Sequence, residues 1–109
     1  LVTGATGGIG AGIARALHAQ GAQVAITGRR AAELAALAAA LGNERVTVAP
    51  ADLADPEATA KLVERVEGSL GTLDILVNNA GFTRDMLALR MGDADWNAVL
   101  EVDLSAPFR

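Results

Sequence analysis

The chain has 109 residues, of which 51% are hydrophobic and 3% aromatic, so it can form one domain with a core of small aliphatic side chains. Its net charge of −4 argues against nucleic acid or an anionic membrane as a partner, because both are bound through basic surfaces. The lack of cysteine excludes disulfides and thiolate metal sites, and no apolar run approaches the roughly 20 residues that cross a bilayer. We therefore expect a cytoplasmic protein without a metal site.

The first ten residues predict the end of a strand, a glycine turn and the start of a helix. Gly4, Gly8 and Gly10 follow the spacing Thr-Gly-x3-Gly-x-Gly, which suits a tight turn, close approach of a ligand and close packing of helix on strand. Unpaired N–H groups and the positive dipole end of the helix favour a bound phosphate there. The spacing differs from Gly-x-Gly-x-x-Gly, and in a chain with 12 glycines a purely structural turn is the alternative.

Strand and helix signals alternate along the rest of the chain. Apolar residues at helical spacing mark three buried stripes: Ile9, Ile13 and Leu17; then Leu34, Leu37 and Leu41; then Leu62, Val63, Val66 and Leu70. Asp55 and Pro56 suit the N-cap and first position of the third helix. Strands are predicted at residues 1–3, 23–26, 45–49 and 73–77, the last of them apolar enough to be covered on both faces. A final helix is predicted from Asp93 to Arg109, with Trp96 in the core.

Because strands and helices alternate with short connections, we predict an α/β fold: a doubly wound parallel sheet in the strand order 3-2-1-4, with helices on both faces. Ligands bind such a sheet in the crevice at the carboxyl ends of strands 1 and 4, where the order reverses. The glycine turn follows strand 1, and Asn78-Asn79-Ala80-Gly81 follows strand 4. The first strand is short and the final helix has no stop signal, so we expect one partial domain over residues 1–109, truncated at both ends.

Three short motifs occur in order: Thr-Gly-Ala-Thr-Gly-Gly-Ile-Gly at 3–10, Asp52-Leu53, and Asn-Asn-Ala-Gly at 78–81. They resemble the cofactor turn, the adenine-contacting pair and the sheet-supporting motif of the short-chain dehydrogenases/reductases. Residues 81–87 and 91–97 further resemble the 3-oxoacyl-[acyl-carrier-protein] reductases within that family. The resemblance covers almost the whole chain and implies a partial Rossmann-type domain that binds a nicotinamide cofactor.

The resemblance also implies which residues contact that cofactor. Asp52 would accept a hydrogen bond from the adenine amino group, with Leu53 beside the ring. Thr6 would donate to a phosphate or ribose, and Asn79 would bridge strands and meet the ribose; the alternatives are ordinary turn roles for the aspartate and the threonine. The implied cofactor-binding residues are Gly4, Ala5, Thr6, Gly7, Gly8, Ile9, Gly10, Asp52, Leu53, Asn79, Ala80 and Gly81.

The end of the second strand, Thr27-Gly28-Arg29-Arg30, bears on the choice between NAD and NADP. About 20 residues after the glycine turn, an acidic residue binds the ribose of NAD, whereas an arginine accommodates the extra phosphate of NADP. Gly28 lies where family members that use NAD often carry aspartate, and Arg29 follows it directly. We therefore predict NADP as the cofactor and Arg29 as a phosphate ligand; a solvated pair of arginines is the alternative.

Asp103 departs from the family pattern, because the family usually has an asparagine there that helps to organise a proton relay. It is the one catalytic position that the resemblance assigns to this chain, and an ionised aspartate cannot donate a hydrogen bond. Reduction in the family also uses a tyrosine, a lysine and a serine, and this chain contains no tyrosine. The resemblance thus implies the cofactor-binding half of an enzyme, inactive by itself.

Three functions remain open at this point. The first is an NADP-dependent reductase of fatty acid synthesis, a homotetramer that reduces 3-oxoacyl groups carried by acyl carrier protein. The second is a dehydrogenase for a sugar, a steroid or another small alcohol. The third is a non-catalytic module that senses NADP or assembles with other chains. A serine followed by Tyr-x3-Lys beyond Arg109 would support the first two.

Overall fold

The computed structural model describes all 109 residues, and helices and strands alternate from Gly8 to Leu70 as the sequence predicts. The strands are β1 (Val24–Ile26) and β2 (Val46–Val48). The helices are α1 (Gly8–Ala19), α2 (Ala31–Ala40), α3 (Pro56–Leu70), α4 (Asp93–Leu100) and the short α5 (Ala106–Phe108). A 3₁₀ turn spans Ala88–Arg90, and a π-helical turn, Glu101–Ser105, joins α4 to α5. None of these helices is long and apolar enough to cross a membrane.

β1 and β2 form a parallel two-stranded sheet, and α2 connects them. In the register of this pair, Val24 lies opposite Val46 and Ile26 lies opposite Val48. A helix is the usual crossover between parallel strands, because the chain must return to the same end of the sheet. The parallel pairing predicted from the alternation of elements is thus present in the structure.

The predicted first and fourth strands take part in the structure only through two isolated bridges of Val2. Val2 forms a parallel bridge to Ile26 on one side and to Val77 on the other. The N–H of Val2 donates to Ala25 O at 2.9 Å, and the N–H of Val77 donates to Leu1 O at 2.8 Å. Regular strands at 1–3 and 73–77 are therefore wrong for this structure, and the order 3-2-1-4 stays a prediction.

The core lies on both faces of this sheet in two clusters. Val24 and Ile26 pack with buried residues of α1 and α2, whereas Ala25 packs with buried residues of α3. Successive residues of a strand point to opposite faces, so α1 and α2 cover one face and α3 covers the other. The prediction of helices on both faces agrees with this arrangement.

α3 begins at the residue that the sequence predicts. The carboxylate of Asp55 accepts hydrogen bonds from the N–H groups of Glu57 at 2.9 Å and Ala58 at 3.2 Å, and Pro56 occupies the first helical position. These contacts satisfy donors that a helix start leaves unpaired. The cap therefore fixes where the loop after β2 ends and α3 begins.

Two predicted core residues are exposed instead. Ile9 is 76% exposed, because the buried positions of α1 are Gly10 and Ala14, so the inner face begins one residue later than the apolar pattern suggests. Trp96 is 57% exposed, and no residue of α4 is buried. Likewise Ile75 is 54% exposed, so the segment 73–77 is not covered on both faces.

The final helix also differs from its prediction. The sequence predicts one helix from Asp93 to Arg109, whereas the structure inserts the π-helical turn Glu101–Ser105 between α4 and α5. A π-helical turn holds an extra residue per turn, which shifts the side chains after it around the helix axis. Apolar spacing alone does not reveal such an insertion.

One buried polar group provides a stability test. Thr27 is fully buried and its hydroxyl has no hydrogen-bond partner. Because an unpaired buried hydroxyl costs free energy, we expect Thr27→Val to raise the free energy of unfolding by about 1 kcal/mol. Chemical unfolding of both proteins measures this difference.

The control is Thr59→Val, at a buried threonine whose hydroxyl donates to Asp55 O at 2.9 Å. We expect that change to lower the free energy of unfolding by about 1 kcal/mol, because it removes a hydrogen bond. A loss of stability in Thr27→Val as large as in Thr59→Val would contradict the unpaired state of Thr27.

Candidate functional site

A cleft of about 590 Å³ lies at the carboxyl ends of the sheet segments. It is lined by the glycine turn after Val2, by residues 28–30 after β1, by residues 51–54 after β2 and by residues 79–82 after Val77. Ligands of open parallel sheets bind at this end. The structure thus brings the separate sequence motifs to one place.

Most of the residues assigned from the sequence line this cleft, and Ala5 and Asp103 do not. For the residues that line the cleft, the structure shows that they lie close together, and their roles toward a cofactor stay predictions. The assigned residues that line the cleft are Gly4, Thr6, Gly7, Gly8, Ile9, Gly10, Arg29, Asp52, Leu53, Asn79, Ala80 and Gly81.

Ala5 is fully buried in the core instead of facing the cleft. Its N–H donates to Thr27 O at 3.0 Å, which ties the glycine turn to the residue that follows β1. Its side chain therefore does not reach the cleft, and a role of Ala5 toward a cofactor stays a prediction. The sequence pattern placed it within the motif but could not distinguish an inward from an outward residue of the turn.

The start of α1 offers free backbone donors to the cleft. Gly7 is the N-cap and supplies no side-chain hydrogen bond, and its own N–H donates to Gly4 O at 3.1 Å. The N–H groups of Gly8, Ile9 and Gly10 have no acceptor within the protein. Three unpaired donors at the positive end of a helix dipole make a site for an anion.

The glycines of the turn meet different neighbours. Gly4 has a φ of 62°, and a Cβ on it would lie 2.8 Å from the Cα of Ala80. A Cβ on Gly10 would overlap the carbonyl oxygen of Gly4 and lie 2.6 Å from Nδ2 of Asn79. A Cβ on Gly8 would meet nothing within 4 Å. Packing therefore requires Gly4 and Gly10, whereas the protein itself has room for a side chain at Gly8.

Thr3 holds the glycine turn against the loop that follows Val77, a role that the sequence analysis missed. Its buried hydroxyl accepts from the N–H groups of Asn79 at 3.0 Å and Ala80 at 2.9 Å, and donates to Val77 O at 3.2 Å. In return, Nδ2 of Asn79 donates to Thr3 O at 2.9 Å and Gly4 O at 3.3 Å. A polar residue between an apolar strand and the first glycine was the available signal.

The two arginines after β1 both line the cleft but differ in their contacts. Arg29 is exposed and makes no side-chain hydrogen bond or ion pair. Arg30, for which the sequence predicted no contact, donates from Nη2 to the hydroxyl oxygen of Thr6 at 3.0 Å. Two cationic groups thus lie at one end of the cleft, one of them without a partner.

Asp52 and Leu53 form the wall of the cleft after β2. Oδ1 of Asp52 accepts from the N–H of Ala54 at 3.0 Å, which is the turn contact expected of a loop aspartate. Its side chain remains exposed, and Leu53 packs against the cluster around α3 while also lining the cleft. A turn role is therefore present, and a contact with adenine stays a prediction.

Asp103 supports the cleft from behind, from within the π-helical turn. Its Oδ1 accepts from the N–H of Phe82 at 3.1 Å and lies 3.3 Å from the place of a Cβ on Gly81. This contact requires an acceptor and no donor, so aspartate can make it as well as asparagine can. The sequence-based concern that aspartate cannot donate does not apply to this contact; a catalytic role stays a prediction.

Comparison with known proteins gives consistent matches over the whole chain. The family model described as short chain dehydrogenase matches residues 1–109. "Nodulation protein G" of Rhizobium sp. (strain N33) is 55% identical over 109 residues, and "3-oxoacyl-[acyl-carrier-protein] reductase FabG" of Escherichia coli (strain K12) is 41% identical over 109 residues. These alignments cover 100% of this chain and 44% of each relative, so the chain spans less than half of their length.

A solved structure agrees with the fold. A metagenomic short-chain oxidoreductase in complex with NADP is similar with a TM-score of 0.91 and 36% sequence identity. The superposition covers 98% of this chain and 50% of that one. The two-stranded parallel sheet with its helices is thus consistent with a partial Rossmann fold.

The different surroundings of the glycines predict opposite effects on stability. We expect Gly10→Ala to lower the free energy of unfolding by about 1–3 kcal/mol, because the new Cβ overlaps backbone that cannot move freely. Gly12 lies in the same helix and a Cβ there would meet nothing within 4 Å. We expect Gly12→Ala to raise the same free energy by about 0.5–1 kcal/mol. Urea unfolding of both variants measures these changes in the free energy of unfolding. If both substitutions raised it, the close packing of α1 at Gly10 would be ruled out.

Proposed function

Because this chain belongs to the short chain dehydrogenase family, we propose that it is the cofactor-binding part of an NADP-dependent oxidoreductase. The observation that carries this proposal is the start of α1, where the N–H groups of Gly8, Ile9 and Gly10 are unpaired and line the cleft. These donors suit the diphosphate of a dinucleotide. The absence of a side chain at Gly8 leaves space for the ligand to approach them.

The remaining wall residues fit the other parts of such a cofactor. Asp52 and Leu53 offer a carboxylate acceptor and an apolar surface to an adenine ring. Asn79, which also ties the loop to Thr3, is at hand for a ribose hydroxyl. When bound, NADPH supplies the hydride, and these residues bind and orient the cofactor.

The two parallel bridges of Val2, to Ile26 and to Val77, also support a sheet order of 3-2-1-4 in the complete domain.

The preference for NADP over NAD rests on charge at the end of β1. No carboxylate stands at Gly28, and the guanidinium of Arg29 lines the cleft without an internal partner. A free cation there can form a charge-assisted hydrogen bond with the 2′-phosphate of NADP, whereas the uncharged 2′-hydroxyl of NAD cannot provide an anionic partner. The NADP bound in the similar oxidoreductase supports the same choice.

The proposed reaction is reduction of a 3-oxoacyl thioester to the 3-hydroxyacyl form. Support comes from the match to the 3-oxoacyl-[acyl-carrier-protein] reductase and from the residues at 81–87 and 91–97 that resemble this class. Hydride addition to a carbonyl leaves an alkoxide that must receive a proton. Since the family uses a tyrosine and this chain has none, the proposed donor lies outside these residues. A cytoplasmic homotetramer acting on acyl carrier protein completes the proposal.

A substitution at Gly8 tests the cofactor site without disturbing the fold. We expect Gly8→Val to lower NADPH affinity by roughly 5- to 150-fold, because a side chain there would occupy ligand space, at a cost of about 1–3 kcal/mol. The matched control is Gly12→Val, the same change in the same helix at a glycine that does not line the cleft. Calorimetric titration of the full-length protein measures both. Equal affinity in the two variants would show that the turn is structural only.

The reaction and its cofactor can be assayed together. We expect full-length protein to oxidise NADPH faster than NADH when a 3-oxoacyl thioester is added. Arg29→Ala should lower the ratio of the NADPH rate to the NADH rate by about tenfold, because a charge-assisted hydrogen bond is lost. The chain of residues 1–109 should bind NADPH without turnover, since a positioned proton donor contributes roughly 10²–10⁴-fold. Turnover with other ketones and none with the thioester would favour a different dehydrogenase.

A further inference from the structure

Arg30 connects two elements that line the cleft. Its Nη2 donates to the hydroxyl oxygen of Thr6 at 3.0 Å and approaches the carbonyl oxygen of Thr6 at 3.4 Å. Its Nη1 pairs with Oε1 of Glu33 at 2.8 Å. The guanidinium therefore joins the N-cap of α2 to the middle of the glycine turn, while the neighbouring Arg29 makes no such contact.

Thr6 is the one side chain with polar atoms inside the turn, between Gly4 and Gly8. A Cβ on Gly28 would lie 3.5 Å from its hydroxyl oxygen, an ordinary contact distance, so Thr6 lies directly beside the segment between β1 and α2. Glycine-rich backbone has many accessible conformations. A contact that fixes this backbone before binding reduces the entropy that a ligand must remove.

We propose that Arg30 is a positioning residue: by holding Thr6, it keeps the glycine turn in the conformation that binds the cofactor diphosphate, whereas Arg29 binds the 2′-phosphate. The inference rests on the proposed function. Glu33 orients the guanidinium and partly offsets its charge, which leaves Arg29 as the stronger attraction for a phosphate. The Arg30–Glu33 pair itself is exposed and adds little stability.

The two arginines then have separable effects on affinity. The diphosphate is common to NADPH and NADH, so loss of Arg30 weakens both cofactors by the same factor. The 2′-phosphate belongs to NADPH alone, so loss of Arg29 weakens NADPH and leaves NADH unchanged. The ratio of the two affinities therefore distinguishes positioning of the turn from direct binding of phosphate.

The experiment titrates NADPH and NADH into full-length protein and its Arg30→Ala and Arg29→Ala variants. We expect Arg30→Ala to weaken both cofactors by about three- to tenfold, the size of one exposed hydrogen bond, with no change in their ratio. Arg30→Lys should restore only part of the loss, because an ammonium group cannot bridge Thr6 and Glu33 as a planar fork does. In a Thr6→Val background, Arg30→Ala should have less than half of its original effect.

Loss of NADPH affinity alone in Arg30→Ala would overturn the inference by making Arg30 a phosphate ligand, and so would unchanged affinity for both cofactors. An undiminished effect in the Thr6→Val background would also overturn it. A parent protein that binds neither cofactor would refute the proposed function instead. The turn can then still be examined in the free protein: backbone ¹⁵N order parameters of Gly7 and Gly8 should fall in Arg30→Ala and not in Arg29→Ala, and equal values would reject positioning.

Discussion

The fold and the cleft both depend on one close backbone contact, between the glycine turn and the loop after Val77. A Cβ on Gly4 would lie 2.8 Å from the Cα of Ala80, so the two backbone segments are in contact with no side chain between them. Across this contact the Thr3 hydroxyl accepts hydrogen bonds from the N–H groups of Asn79 and Ala80 and donates one to Val77 O. A hydroxyl has one donor and two acceptor sites, so Thr3 uses its full capacity here. Two walls of the cleft are thereby fixed to each other before any ligand binds.

The glycines of the turn serve two different purposes: some allow close packing within the protein, and one leaves space for a ligand. Gly4 and Gly10 are required by the protein, because a Cβ at either would collide with backbone or with Asn79. Gly8 meets no neighbour, so its lack of a side chain has no explanation within the chain and is consistent with a ligand. A motif that looks uniform in the sequence therefore contains structural and ligand-related positions. Only the distances to neighbouring atoms tell them apart.

The sequence predicts best where the signal is local. The start of α3 follows from Asp55 and Pro56, whose capping chemistry acts within a few residues of chain. It predicts less well where burial depends on distant elements. Ile9 fits an apolar stripe but lies beyond the end of the sheet, at the cleft, while Gly10 takes the buried place. Trp96 is apolar enough for a core, yet nothing in this chain packs over α4 closely enough to bury it. The contact of Arg30 with Thr6 joins residues 24 positions apart and has no local signature.

The chain has a net charge of −4. That value conflicts with the proposed site for an anionic cofactor only if side chains must supply all of the attraction. At the start of α1 the donors are backbone N–H groups, which carry partial positive charge whatever the residue composition. Side-chain charge is added after β1, where Arg29 and Arg30 both line the cleft and the guanidinium of Arg29 has no partner. In the proposed site, the turn binds the diphosphate that both nicotinamide cofactors share, and Arg29 binds the 2′-phosphate that distinguishes NADP from NAD. The net charge of the whole chain therefore does not argue against a local anion site at the start of α1, because backbone N–H groups supply its donors.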